Sequence, residues 1–449
     1  MTPAQLLVFF LQLLPRRALR RLPALKGKTF YDRLFTPLVT LWYLLFQRLN
    51  HDHSLDAALC DAQAGGADRL NGKLSRQLVS GSTASYSDAR QRLPGEFLLQ
   101  TLQLQGRKIT GLSPTTLWQG LLVCLLDGST VRLRPYGNIP KHFPPHSNQH
   151  YRRTYWCLMR VVVSFCGFTG AALDCALGST HLSEQALGSQ LIVRAIGSCL
   201  FIGDRNFGVF RIVQAARAKQ HHVLLRLTQV RAAKLLGKAL RYGDHAVRWK
   251  PTGRNQLQPA LSNDPIPGRL LVVQLNRPGF RSQRLFLFTT LADRDQYPMA
   301  ELFNLYGLRW HIELDLRYVK TQMEAAQLEA HSADMARKEW TATLLAYNLI
   351  RAAMLCAALQ EQLPPLTLSF SACRRRLEYW LRDWGRTKAA LQTTWHKTLI
   401  QMSHSRLPRR RKPRPHEPRV QRHLRQSFPP LIGSRAQARK KLQRHVGKS

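Results

Sequence analysis

Acids are scarce in this chain, 26 Asp and Glu against 67 Lys and Arg, so their positions carry information. Asp127 follows the apolar run Leu121 to Leu126, and Asp204 follows "CLFIG". Each stands where a buried strand would end or turn. An Asp-Gly pair such as Asp127-Gly128 is a common hairpin signal, and taken singly either residue reads as a turn-forming Asp. Glu313 lies in "YGLRWHIELDLRYVK", Tyr306 to Lys320. At about 100° per residue on a helix, Tyr306, Arg309, Glu313, Arg317 and Lys320 fall within roughly an 80° arc. Leu308, Ile312, Leu316, Val319 and Met323 form a neighbouring apolar face. A solvated face with i,i+4 ion pairs from Glu313 to Arg309 and Arg317 would look similar. Three carboxylates on separate elements also have a chemical use. They can hold two divalent cations, one activating a water or hydroxyl and the other stabilising the leaving oxygen of a phosphodiester. Magnesium suits such a site because it prefers oxygen ligands and keeps water in its shell.

The charge balance fits that chemistry. A formal net charge of +41 on 449 residues repels itself unless it meets a polyanion. Nucleic acid is the usual partner and a membrane surface the competing one. From Arg406 to Ser449 there are fifteen Lys or Arg and one acid, Glu417. Such a tail reads as a solvated arm or a phosphate-binding one. The eight cysteines form no C-x-x-C pair, which argues for reduced core residues in a cytoplasmic protein rather than a zinc site. The apolar run from Leu6 to Leu14 is too short to span a bilayer, and its positive charges follow rather than precede it. A buried amphipathic helix is expected there, and no other segment is expected to reach membrane-spanning length.

These residues must be held by a scaffold. Residues 28–94 read as helical, "GLLVCLLDGSTVRLRP" as two strands around a turn at Asp127-Gly128, and "WCLMRVVVSFCGFTGAALDCALG" as one or two strands turning at Gly167 to Gly170. "SEQALGSQLIVRAI" has helical spacing, and "SCLFIGDRNFG" is a strand that stops on Asp204. Short strand-like runs from Val223 to Leu291 suggest a mostly β insertion, and helical character returns from Pro298. His142, His146 and His150 recur every four residues, but Pro144 and Pro145 interrupt any helix, so a loop is expected. His221, His222 and His311 read as structural residues or phosphate contacts. Ser129 shows no neighbouring base in the sequence, and no P-loop follows a strand, so no nucleotide cofactor is expected.

At this point the sequence resembles a family, the DDE transposases of bacterial insertion sequences, in the branch with a Tyr-x2-Arg-x3-Glu-x6-Lys signature. Tyr306, Arg309, Glu313 and Lys320 meet that spacing, "DGST" and "GDRNFG" resemble the segments of the two aspartates, and the likeness runs from about residue 30 to 360. The resemblance implies an α/β fold: an RNase H-like mixed sheet flanked by helices, with a mostly β insertion, a helical N-terminal domain and a basic C-terminal region. The corresponding bounds are 1–95 for the N-terminal domain, 115–222 with 286–360 for the catalytic core, 223–285 for the insertion and 361–449 for the C-terminal region. It further implies that Asp127, Asp204 and Glu313 ligate two Mg2+ ions, with Mn2+ able to substitute. Arg309 and Lys320 would contact DNA phosphates, and Tyr306 would help position the strand. The expected reaction is nicking at the element ends and strand transfer to target DNA, by a homodimer on DNA and away from any membrane. Some relatives stack a flipped base on a Trp of the insertion; none lies between Pro251 and Arg309, which leaves Trp249 or Phe286. A catalytically inactive DNA-binding relative and a general metal-dependent nuclease are the alternatives.

The charge alone makes a prediction. With about six or more phosphates neutralised, affinity for double-stranded DNA should fall by about 10³-fold or more between about 50 and 200 mM salt. Binding that is insensitive to salt in a filter or anisotropy titration would contradict it.

Overall fold

The computed structural model describes residues 3–27, 33–147, 153–237, 240–251, 264–275, 283–381, 388–407, 434, 436–437 and 440. The fold is built around one strand, Leu121–Leu133 (β1). Its first half is almost continuously apolar, as expected of a strand covered on both faces. Val123, Leu125, Val131 and Leu133 point into one core, and Cys124 and Leu126 into the other. β1 pairs antiparallel with Arg153–Cys166 (β2), which pairs antiparallel with Ala172–Ser179 (β3). On its other side β1 runs parallel to Cys199–Gly203 (β4), and β4 parallel to His222–Arg226 (β5). Gly243–Trp249 (β6), Ile266–Leu275 (β7) and Gln283–Thr289 (β8) continue the same sheet, β8 pairing antiparallel with β5. Across these eight strands the order is β3-β2-β1-β4-β5-β8-β7-β6, within a mixed sheet of eleven strands among the described residues.

Several expectations change here. β1 does not turn at Asp127-Gly128. Its pairing with β2 runs unbroken from Cys124–Cys166 to Leu133–Cys157, so the long-range ladder overrides a local turn signal. The segment from Val223 to Leu291 adds its strands to the same central sheet and includes an unforeseen helix, Gln229–Leu236, capped by the Thr228 side chain. Phe286 is buried in the second core, and Trp249 packs edge-on against Phe288 with ring centroids 4.7 Å apart. Of the His segment, residues Ile139–His142 form a short helix and Pro145–Ser147 a strand; His150 and most of the basic tail lie outside the described residues.

The helical layers place the sheet. Pro37–Leu49 (α1) and Gly95–Thr110 (α2) share the larger core with the first face of the sheet. Glu184–Arg194 (α3), capped by the Ser183 side chain, and Phe210–Ala218 (α4) cover the second face. Arg309–Arg317 (α5) carries Glu313. Ala333–Gln360 (α6) has 28 residues and an 18-residue window of mean hydropathy 1.6, long and apolar enough to cross a membrane, contrary to expectation. In this structure 89% of that window is buried, so the protein's own core fills the role of an apolar solvent. The first helix, Pro3–Leu13, is likewise held by buried Leu7, Phe10 and Leu13.

α6 also supplies the polar ties. Glu339 receives Arg48 at 3.1 Å and Arg90 at 2.9 Å, fastening the N-terminal helices. The Asn348 side chain bonds both the N–H and the carbonyl of Ala172 at 2.8 Å, fastening β3. Arg351 bonds Asp315 of α5 through a guanidinium nitrogen and donates to the Tyr347 hydroxyl at 2.6 Å. Its guanidinium lies over the rings of Tyr318, Tyr347 and Phe370 at 5.3–5.7 Å. Removing one partner of a buried ion pair strands the other charge, whereas replacing both with apolar groups does not. Arg351→Leu should therefore lower the urea midpoint by the equivalent of about 3–5 kcal/mol, and the double variant Asp315→Leu, Arg351→Leu by much less. Equal losses in the single and double variants would contradict this account.

Candidate active site

The site sits at the carboxyl ends of β4 and β5 and beside the middle of β1, just past the stretch Leu122–Leu125 that runs parallel to β4. Register brings the residues level. Leu125 pairs with Ile202, so Asp127 and Asp204, each two residues on, come side by side. Gly203 pairs with Leu225, so Arg226 follows beside Asp204. Asp204 begins a tight turn in which its Oδ1 accepts the N–H of Asn206 at 2.8 Å and of Phe207 at 3.4 Å. Asp127 Oδ1 accepts the Gly128 N–H at 2.8 Å.

The segment from Tyr306 to Lys320 is not one regular helix. Met299–Tyr306 ends at a turn on Gly307–Leu308, α5 spans Arg309–Arg317, and Tyr318–Gln322 forms a π-turn. A π-turn fits an extra residue into the turn and shifts the phase of the side chains beyond it. Tyr306 is therefore a core residue, 7% exposed, whose hydroxyl is surrounded by Arg309, Arg226 and Asp204. Burial pushes that hydroxyl up to about 12. Arg309 points among Tyr306, Glu313 and Asp204 and bonds Glu313 at 2.7 Å. The i,i+4 ion pair thus forms with Arg309 rather than with Arg317, and Glu313 remains 43% exposed. Lys320 reaches β1 instead, its Nζ donating to Ser129 Oγ at 3.1 Å, so Ser129 does have a lysine beside it.

Two residues of the site had no motif to mark them. Arg226 lies at the end of β5, and Glu184 in the first turn of α3. A Cβ built on Gly128 would lie only 2.5 Å from the Glu184 carboxyl carbon, so glycine leaves the room that this carboxylate fills. The only signal in the sequence was an acid directly after a helix-capping serine.

Among the described residues no three His, Cys, Asp or Glu side chains lie close enough to share one metal ion. The donor chemistry nonetheless fits a hard divalent cation. Asp127 and Asp204 offer carboxylate oxygens from adjacent segments, the glycine-lined space at 128 brings a further carboxylate beside Asp127, and Glu313 is partly exposed and bonded to Arg309. Burial pushes the Asp127 carboxyl up from 3.8 to about 6; the Gly128 N–H opposes this, Asp204 and Glu184 add to it, and Arg309 opposes it. A carboxyl that holds its proton more tightly when folded contributes stability below about pH 4, lost as pH rises through about 6. In metal-free buffer, Asp127→Asn should therefore be more stable than the parent at pH 8 by about 1–3 kcal/mol, with the gap closing toward pH 4. A gap independent of pH in urea unfolding would contradict this.

A comparison with protein families points to the same place in the chain. Residues 118–349, just over half of the chain, match the family model described as "Transposase DDE domain", an interval that contains Asp127, Asp204 and Glu313. The chain is 29% identical over 295 residues to the transposase InsG for insertion sequence element IS4 of Escherichia coli K12. That match covers 63% of this chain and 64% of the relative's length. The cryo-EM structure of a piggyBac transposase synaptic complex with hairpin DNA aligns with 88% of this chain and 85% of that one, at 9% identity and a TM-score of 0.42. On the family match, the chain belongs to the transposase DDE domain family.

Proposed function

We propose that this protein is the DNA transposase of an insertion sequence, cutting phosphodiesters at the element ends with divalent metal and joining the freed ends to target DNA. The observation that carries the proposal is the levelling of Asp127 and Asp204 on adjacent parallel strands, with Arg226, Arg309 and Lys320 around them. The strand order supports an RNase H-like core: three antiparallel strands followed by two parallel ones, with the insertion running on from the last. In this reading residues 115–222 and 286–360 form the core, 223–285 the insertion, 1–95 a DNA-binding N-terminal domain and 361–449 the helical, then basic C-terminal region.

Asp127, Asp204 and Glu313 would hold the metal, Mg2+ or Mn2+, which when bound activates the attacking oxygen and stabilises the leaving one. The other residues act on the DNA. Arg309 and Arg226 beside Asp204, and Lys320 on Ser129 two residues past Asp127, bring three cations to the acids, where they would offset the charge of a backbone phosphate. Tyr306, buried against Arg309, fixes where that guanidinium lies, and so would position the strand indirectly. The +41 net charge would draw DNA to the site, and two copies of the chain would be needed to hold two element ends. The bond between Arg309 and Glu313 also suits a DNA-binding relative that does not cut, and the experiment separates the two.

Purified protein with Mg2+ and linear DNA carrying the element ends should give nicks at those ends and, with target DNA, joined products. Asp127→Ala, Asp204→Ala and Glu313→Ala should each reduce nicking by about 100-fold or more while leaving end-binding in place. Undiminished cutting by Glu313→Ala would remove that residue from the site, and end-binding without cutting in Mg2+ or Mn2+ would establish the non-catalytic reading.

A further inference from the structure

One face of β1 is an apolar row, with Val123 and Leu125 before the site and Val131 and Leu133 beyond it in the larger core. Alternation puts Asp127 and Ser129 in the middle of that row. The ladder with β2 runs past both without a bulge, Asp127 opposite Val163 and Ser129 opposite Val161. Apolar residues at 127 and 129 would continue the core. Both positions are polar instead, and only partly buried. The Ser129 hydroxyl meets a residue 191 positions further along the chain, accepting a hydrogen bond from Lys320 Nζ at 3.1 Å. The π-turn Tyr318–Gln322 carries Lys320 to that place.

The partner is neutral, and this decides what the contact can do. Arg309 is bonded by Glu313, a carboxylate that offsets its charge. A hydroxyl occupies one of the three N–H donors of an ammonium and leaves the charge whole. The charged group that acts on Lys320 is Arg132, a second cation. Two cations brought together with a neutral holder suit an anion, and two of the Lys320 donors remain to bind it. A free lysine stem samples many rotamers, and an anion that must order the stem binds more weakly for it. The Ser129 hydroxyl removes part of that freedom beforehand, from a strand whose ladder fixes its own position.

We propose that Ser129 is a positioning residue for DNA: its hydroxyl holds the Lys320 ammonium two residues along the strand from Asp127, so that one backbone phosphate near the cut is bound at a set distance from the acids. The inference rests on the reading of Lys320 as a phosphate contact and names the residue that aims it.

The test is end-binding by the full chain in EDTA, read by fluorescence anisotropy, so that it does not depend on cutting. The phosphates around the element end are replaced one at a time by neutral methylphosphonates. At one of them the parent should lose about 10-fold in affinity, as for a hydrogen bond to a charged group. Lys320→Ala should show no loss at that phosphate. Ser129→Ala should show a loss of about threefold or less there, and Ser129→Thr, which keeps the hydroxyl, should return most of the parent's loss. Each variant is compared with itself on the two DNAs, so a smaller folded fraction does not mimic the effect. A full 10-fold loss in Ser129→Ala, with none in Lys320→Ala, overturns the proposal and spares the phosphate contact of Lys320. Ser129→Thr behaving like Ser129→Ala makes side-chain shape rather than the hydroxyl the cause and also overturns it. A full loss at every phosphate in Lys320→Ala takes the underlying reading of that lysine down as well.

Discussion

The register between β1 and β4 is the constraint on which the rest depends. Strand side chains alternate between faces, so a slip of one residue would send every apolar side chain of β1 to the wrong core. Both faces of that strand are buried, Val123 and Leu125 toward one helical layer and Cys124 and Leu126 toward the other. The apolar residues therefore fix the register, and the register sets Asp127 beside Asp204. The polar site is aligned by hydrophobic burial that takes no part in its chemistry.

Glu313 is held by a different principle. It belongs to no strand, and α5 is secured two residues further on by the buried pair of Asp315 and Arg351. A buried ion pair is a poor source of stability but a demanding one in geometry, because each partner leaves the other uncompensated if it moves. Here the arginine is further confined by three aromatic rings and the Tyr347 hydroxyl. The helix that bears Glu313 is thereby fixed, while the Glu313 side chain itself remains half in solvent, tied to Arg309.

Much of this was legible in the sequence. The strands before Asp127 and Asp204, the Ser183-capped helix and the return to helix after Pro298 are all signalled by apolar runs, capping and spacing. The features that escaped were non-local. Asp127-Gly128 carries a hairpin signal, and only pairing with a strand some thirty residues on keeps it straight. The stripe from Tyr306 to Lys320 was laid out at a constant angle, but a break at Gly307 and a π-turn at Tyr318 change the phase, burying Tyr306 and turning Lys320 to Ser129. Glu184 and Arg226 reach the site through packing of α3 and β5, which no spacing within the chain records. The metal-holding role proposed for the acids rests on their order and on family resemblance; the geometry adds that Asp127 and Asp204 are neighbours.

The long helix α6 has a consequence for how the protein comes into being. Its partners in the main core run from Leu7 to Met402, nearly the whole chain. A ribosome that has released the first 330 residues has delivered Asp127, Glu184, Asp204 and Glu313, yet not the helix that fastens β3, α5 and the N-terminal helices together. Such long-range closure is slow and leaves apolar surface uncovered in the meantime. Premature termination between residues 314 and 332 would thus yield a polypeptide that carries Asp127, Asp204 and Glu313 but has no finished interior, suited to degradation rather than to accumulation.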